Sequence, residues 1–75
     1  MSERDTPIRN RIRTLRFRHG EMTQQELADQ VGVTRQTVNA VENGKYAPSL
    51  EVAFRIAAVF DVPLEEVFQH EPDAA

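Results

Sequence analysis

The chain has 75 residues, of which 40% are hydrophobic and 28% charged, with a formal net charge of -3 and no cysteine. A chain this short holds one domain with one core, and the lack of cysteine excludes disulfides and thiolate metal sites as stabilising devices. We therefore expect a single domain over residues 1–75 that gains stability by association with a second chain. There is no apolar run near the roughly 20 residues that cross a bilayer, and the N-terminus MSERDTPIRN lacks a signal-peptide stretch. A cytoplasmic protein with no membrane partner is expected.

The acidic net charge conceals a gradient along the chain. The first 19 residues hold six arginines against two acidic residues, whereas the segment from Pro48 onward holds one arginine against six acidic residues. DNA-binding domains are usually basic, but the basic end of such a gradient can still attract phosphates. The composition therefore does not exclude nucleic acid as a partner.

Capping residues and apolar spacing predict two helices in the first half of the chain. The first runs over about Arg11–Arg18, with Asn10 as its N-cap and Gly20 at its end. The second opens with a capping box, Thr23–Glu26, in which the Thr hydroxyl and the Glu carboxylate satisfy each other's backbone donors. It ends at Gly32, because glycine adopts the left-handed conformation at little cost.

A third helix follows directly after this glycine turn. It is capped by Thr34, buries Val38 and Val41, and stops at Asn43-Gly44. Two short helices joined in this way, over about residues 23–43, form either a helix-turn-helix or an ordinary αα-hairpin of a helical bundle. The spacing alone leaves both interpretations open.

The second half of the chain predicts two more helices and a small extended segment. Ser49 caps a fourth helix over Leu50–Phe60, which is apolar nearly all round and must meet the fifth helix or another chain. Pro63 suits the first position of a short fifth helix. Phe68–Glu71 alternates apolar and polar residues, and Thr6–Arg9 is its candidate partner strand. The predicted fold is all-α with five helices and an optional terminal β-pairing.

The exposed face of the third helix carries the most informative chemistry. Its side chains offer amide, hydroxyl and guanidinium groups and no carboxylate before Glu42, whereas a merely solvated helix usually mixes Glu with Lys. Such groups can read the donor and acceptor patterns of base edges. The residues concerned are Thr34, Arg35, Gln36, Thr37 and Asn39.

Four stretches together resemble the Cro/CI-type (XRE) family of helix-turn-helix transcriptional regulators. The likeness extends from about Ile8 to Phe68, and the ending Val62–Gln69 is more narrowly similar to compact homodimeric repressors such as the cytolysin-operon repressor. In those proteins the C-terminal part supplies the dimer contact. The four stretches are Asn10–Arg16, Met22–Ala28, Gly32–Val38 and Val41–Leu50.

The resemblance implies a lambda-repressor-like domain that binds a near-palindromic double-stranded operator as a homodimer, with recognition helix 34–43 in the major groove. Bases would be read by Arg35, Gln36, Thr37 and Asn39, with Arg35 donating to guanine, although a phosphate contact stays open for Arg35. Phosphates would be held by Gln24, Thr34, Asn43, Lys45 and Tyr46. For Thr34 a purely capping role stays open, and for Tyr46 packing under its loop.

Two further sets of residues have structural roles in this interpretation. The resemblance implies a partly buried ion pair between Arg16 and Glu42, so these two are not counted as DNA contacts. Surplus apolar side chains in the segment 59–71 are expected to form the dimer interface. They are Val59, Leu64, Val67 and Phe68.

The alternative function is a helix-turn-helix fold used for protein contacts, for example as an antitoxin that binds a toxin, and a restriction–modification controller is a further possibility within DNA binding. Catalysis has no candidate, because Ser2 and Ser49 lack a nearby base. His19 and His70 are too far apart in sequence for a local metal motif. We expect no enzyme activity, no metal, no cofactor and no small-molecule effector.

Overall fold

The computed structural model of the chain describes residues 6–71, which form five helices and a two-stranded antiparallel sheet. This confirms the predicted all-α architecture and its terminal β-pairing. None of the helices among these residues is long and apolar enough to cross a membrane. In chain order the elements are β1 (Ile8–Asn10), α1 (Ile12–Arg18), α2 (Gln24–Val31), α3 (Arg35–Glu42), α4 (Leu50–Phe60), α5 (Leu64–Val67) and β2 (Phe68–His70).

Three helices begin at the hydroxyl caps that the sequence predicts. The Thr23 hydroxyl accepts from the Glu26 amide at 3.0 Å, and the Thr23 amide donates to the Glu26 carboxylate at 2.8 Å. Thr34 and Ser49 accept in the same way at the starts of α3 and α4. Between α2 and α3, Gly32 has φ +88°, a left-handed conformation that other residues adopt only with strain.

Two predicted boundaries are wrong by one residue. Asn10 lies in β1, and α1 takes Arg11 as its N-cap. The Asn10 side chain still accepts from the Ile12 amide at 3.1 Å, but it also donates to the Val41 carbonyl at 2.9 Å, a partner in α3 that no local pattern reveals. Pro63 is the N-cap of α5 rather than its first helical residue, because its ψ of 154° is extended.

The sheet joins the two ends of the described chain. Asn10 pairs with Phe68 and Ile8 with His70, so both strands are shorter than the predicted segments that began at Thr6 and ended at Glu71. The Arg11 amide extends the pairing by donating to the Val67 carbonyl at 2.9 Å. The sheet thereby holds the last helix against the first.

The core lies between the helices and, within residues 6–71, is apolar except for the buried Arg16. Val67 is 0% exposed, since it packs inside this core, and the prediction that it contributes to a dimer surface is therefore wrong. The other largest fully buried side chains are Phe60, Ile12, Leu27 and Val31.

The largest exposed apolar side chains on α4 are at its beginning and middle. Leu50 is 67% and Phe54 is 54% exposed, and one helical turn separates them. Beside them lies an apolar groove lined by Ile8, Ala47, Pro48, Leu50, Ala53, Leu64 and Phe68. Val59, Leu64 and Phe68 are half-buried against the core. The surplus apolar surface is thus centred nearer the start of α4 than the sequence suggested.

Candidate nucleic-acid interface

Helices α2 and α3 pack closely across the Gly32 turn. Ala28 on α2 is fully buried, and its small side chain lets the two helices approach each other. Val38 and Val41 are the buried residues of α3, so the opposite face of this helix is turned to solvent. The pair has the arrangement in which the second helix is free to enter a major groove.

The solvent face of α3 presents polar groups of neutral or positive charge. Arg35, Gln36 and Asn39 are exposed, and within residues 6–71 no hydrogen bond or ion pair engages the Arg35 guanidinium. Thr37 is half-buried, and its hydroxyl lies 3.0 Å from that of Thr34, whose oxygen also caps the helix. The threonine pair shapes the start of α3, whereas the three exposed residues face outward.

The acidic residue of α3 is withdrawn from this face by an ion pair. Glu42 Oε2 accepts from Arg16 Nε at 2.7 Å, and Glu42 Oε1 accepts from Arg16 Nη2 at 3.1 Å. The two side chains are only 8% and 11% exposed. The structure thus brings Arg16 and Glu42 together in a bidentate pair, and Arg16 neutralises a carboxylate that would otherwise repel phosphates.

Gln24, expected to touch a phosphate, is bonded through its side chain to two residues of α3. Its Nε2 donates to Asn39 Oδ1 at 3.2 Å and to Glu42 Oε1 at 3.3 Å. Asn43 Nδ2 also donates to Asn39 Oδ1, at 3.4 Å. A chain of hydrogen bonds therefore runs from the buried ion pair to the exposed face of α3, which sequence reasoning missed because Gln24 and Asn39 are 15 residues apart.

The loop after α3 exposes two further candidate phosphate contacts. Lys45 is exposed and Tyr46 is 43% exposed, so the tyrosine does not pack under the loop. The loop is held in place by the Lys45 amide, which donates to the Ala40 carbonyl at 2.9 Å, and by Gly44 at φ +71°. The backbone thus presents both side chains beside the end of α3.

Three other groups of polar residues were candidates for a second site within residues 6–71. Arg9 pairs with Glu71 at 3.1 Å on the surface. His19 lies with its ring 5.2 Å from that of Phe60 in an edge-on arrangement. In the part of the chain that the structure describes, no three His, Cys, Asp or Glu side chains are grouped as metal ligands.

Comparison with known proteins assigns the chain to a family. Residues 12–67 match the helix-turn-helix family HTH_3. An HTH-type transcriptional regulator of Methanocaldococcus jannaschii, MJ0272, is 46% identical over 66 residues, covering 88% of this chain and 98% of that protein. One from Archaeoglobus fulgidus is 51% identical over 61 residues, covering 81% of this chain and 86% of its own. Among solved structures, the restriction-modification controller protein C.AhdI of Aeromonas hydrophila superimposes with a TM-score of 0.67 at 33% identity, covering 73% of this chain and 82% of that one.

The family match spans both α2 and α3 and continues through α5. Arg35, Gln36 and Asn39 all lie within it. The exposed polar face of α3, the buried ion pair behind it and the similarity over most of the chain agree with one another. The chain belongs to the helix-turn-helix family of XRE-type transcriptional regulators, and it is a DNA-binding regulator rather than an enzyme.

Proposed function

We propose that the protein is a homodimeric repressor that binds a near-palindromic operator with α3 in the major groove. The observation that carries this proposal is the exposed, carboxylate-free face of α3, where Arg35 is available for a base edge. A guanidinium donates two parallel hydrogen bonds to guanine O6 and N7, the commonest specific contact in major grooves. A repressor bound to its operator excludes other proteins from that DNA. We propose that the protein acts in the cytoplasm.

Base reading is assigned to Arg35, Gln36 and Asn39, with Thr37 adjoining them. Phosphates are assigned to Lys45, Tyr46 and Asn43 in the loop and to Thr34 at the start of α3, since contacts of this kind position a helix without specifying sequence. Gln24 reaches DNA only through its backbone amides at the start of α2, because its side chain is bonded to α3.

The dimer contact is assigned to the segment 59–71 together with the start of α4. Leu64 and Phe68 line the apolar groove, and the exposed Leu50 and Phe54 continue it along α4. Full burial of a Leu or Phe side chain contributes about 1.5–3 kcal/mol. Pairing two copies through this surface sets two recognition helices about one DNA turn, roughly 34 Å, apart.

Selection of binding sites from random duplex DNA at two salt concentrations tests the DNA-binding part. The expected result is an enriched site with two-fold symmetry. Arg35→Ala should weaken binding by about 1–3 kcal/mol and relax preference at one base pair of each half-site. Arg18→Ala is the matched control, because Arg18 is exposed and lines a surface pocket with Glu66 to which α3 contributes no residue. Failure to enrich any site would overturn the proposal and favour a protein-binding module.

Sedimentation of Phe54→Ser and Phe17→Ser tests the dimer. The two phenylalanines are 54% and 55% exposed, but Phe17 has the guanidinium carbons of Arg13 and Arg16 at 5.9 and 6.0 Å from its ring centre. Only Phe54→Ser should shift the protein toward monomer. A monomeric parent protein would refute the dimer, and a reporter gene activated from the selected site would refute repression.

A further inference from the structure

Asn39 is the exposed residue of α3 whose orientation the structure determines most tightly. Its side chain is a carboxamide, with an oxygen that accepts two hydrogen bonds and a nitrogen that donates two. The two ends are nearly equal in size, so hydrogen-bond partners decide which end faces outward. In this chain those partners form a connected series that begins in the core.

The series begins at the ion pair between Arg16 and Glu42. A guanidinium only donates and an ionised carboxylate only accepts, so Glu42 Oε1 requires a donor from any further neighbour. That neighbour is Gln24, 3.3 Å away, which must therefore present its Nε2 and not its oxygen. The second hydrogen of the same Nε2 is then directed at Asn39, at 3.2 Å.

Asn39 must accept this hydrogen bond with its side-chain oxygen, Oδ1. Asn43 Nδ2 donates to the same Oδ1 at 3.4 Å, so both acceptor positions of that oxygen are filled. Within residues 6–71, no protein acceptor engages Asn39 Nδ2, and the side chain is exposed. The outward end of Asn39 is consequently a donor with both hydrogens available.

We infer that Asn39 is a specificity-determining residue that selects keto bases, guanine or thymine, and discriminates against adenine. Asparagine usually recognises adenine through two bonds, one accepted from the N6 amino group and one donated to N7. Here the accepting oxygen is occupied, so adenine loses one bond and its amino group finds no acceptor. Guanine O6 and N7 or thymine O4 can accept from the free Nδ2.

Gln24 is, by the same argument, a positioning residue for Asn39. This inference rests on the proposed function, since it presumes that α3 reads bases. A phosphate contact by the Gln24 side chain would make a different prediction, because phosphate contacts weaken binding to all sequences equally. The two roles are therefore separable by base preference rather than by affinity.

The experiment is site selection from random duplex DNA with the full chain and four variants. Asn39→Ala identifies the base pair that depends on Asn39. At that base pair the parent protein should favour guanine or thymine on the strand that Asn39 contacts, with adenine weaker by about tenfold or more. Gln24→Ala frees one of the two acceptor positions of the Asn39 oxygen, and adenine should then rise to near parity at this base pair alone. Asn39→Asp presents an acceptor and should shift the preference toward cytosine, whose N4 donates.

Gln25→Ala is the matched control, because Gln25 is exposed one residue away and, within residues 6–71, its side chain bonds only to Asp29 on its own helix. It should leave every preference unchanged. Circular dichroism checks that each variant is folded. Three outcomes would each overturn the inference. The parent protein could prefer adenine at the Asn39-dependent base pair, Asn39→Ala could alter no base pair, or Gln24→Ala could leave the base preference unchanged. A parent protein that enriches no site would instead overturn the proposed function.

Discussion

Replacement of Glu42 by alanine should destabilise the protein more than any surface change. The substitution leaves Arg16 Nε and Nη2 without their acceptor and removes one of the two acceptors of Gln24 Nε2, while Arg16 Nη1 keeps the Met22 carbonyl at 2.7 Å. Removing one partner of a buried pair costs about 3–5 kcal/mol, because the remaining charge is buried without compensation. A 75-residue domain has in total about 4–11 kcal/mol of stability. Glu42→Ala should therefore remove a large share of it.

Urea denaturation followed by far-ultraviolet circular dichroism measures the effect. All variants must be compared at one protein concentration, because a dimer's stability depends on it. Glu51→Ala is the control, since it breaks the Arg55–Glu51 pair at 2.6 Å, whose side chains are 53% and 73% exposed. An exposed pair of this spacing contributes about 0.3–0.5 kcal/mol.

A double variant, Arg16→Met with Glu42→Leu, separates the cost of an unpaired charge from the value of the pair. Because it leaves no charge buried, it should be closer to the parent in stability than either single removal. If Glu42→Ala cost no more than Glu51→Ala, the ion pair would not be a buried structural element and the reasoning from its burial would fail.

Three further changes have definite expected outcomes. Thr23→Ala removes the capping box of α2 and should lower the free energy of unfolding by about 1 kcal/mol, measured by urea denaturation. An unchanged free energy of unfolding would contradict the capping role. Phe60→Ala should lower the free energy of unfolding by about 3–5 kcal/mol, because Phe60 is 2% exposed. Phe17→Ala, at an exposed position, should lower it by about 1 kcal/mol or less. Equal losses of stability would refute the assigned core. Lys45→Ala should reduce the salt dependence of operator binding by about one unit of slope, measured by fluorescence anisotropy, without altering base preference; an unaltered slope would remove Lys45 from the phosphate contacts.

The features that could be predicted from the sequence depend on residues close together in the chain. The caps at Thr23, Thr34 and Ser49 each use a backbone donor three residues on, so their hydrogen bonds are specified locally. Gly32 is likewise local, because only its own φ decides whether the turn between α2 and α3 forms without strain. These positions define the pair of helices α2 and α3 and the exposed polar face of α3.

The features that were missed or wrongly assigned depend on distant contacts. Val67 and Phe54 are both apolar residues of helices, and nothing in their immediate neighbours indicates that the first is buried and the second exposed. Packing of α5 against α4 and the sheet buries Val67. The hydrogen bonds of the Gln24 side chain have the same origin, since its partners Asn39 and Glu42 are reached only when α2 and α3 pack.

By itself, the sequence determined five helices, their caps and a third helix whose exposed face carries no carboxylate before Glu42, because periodicity and capping are properties of short segments. The tertiary structure alone decided which apolar side chains remain outside and which end of Asn39 faces outward. The physical reason is that burial and hydrogen-bond direction depend on groups that folding brings from different helices. The direction of one amide on the exposed face of α3 is thus set by an ion pair in the core.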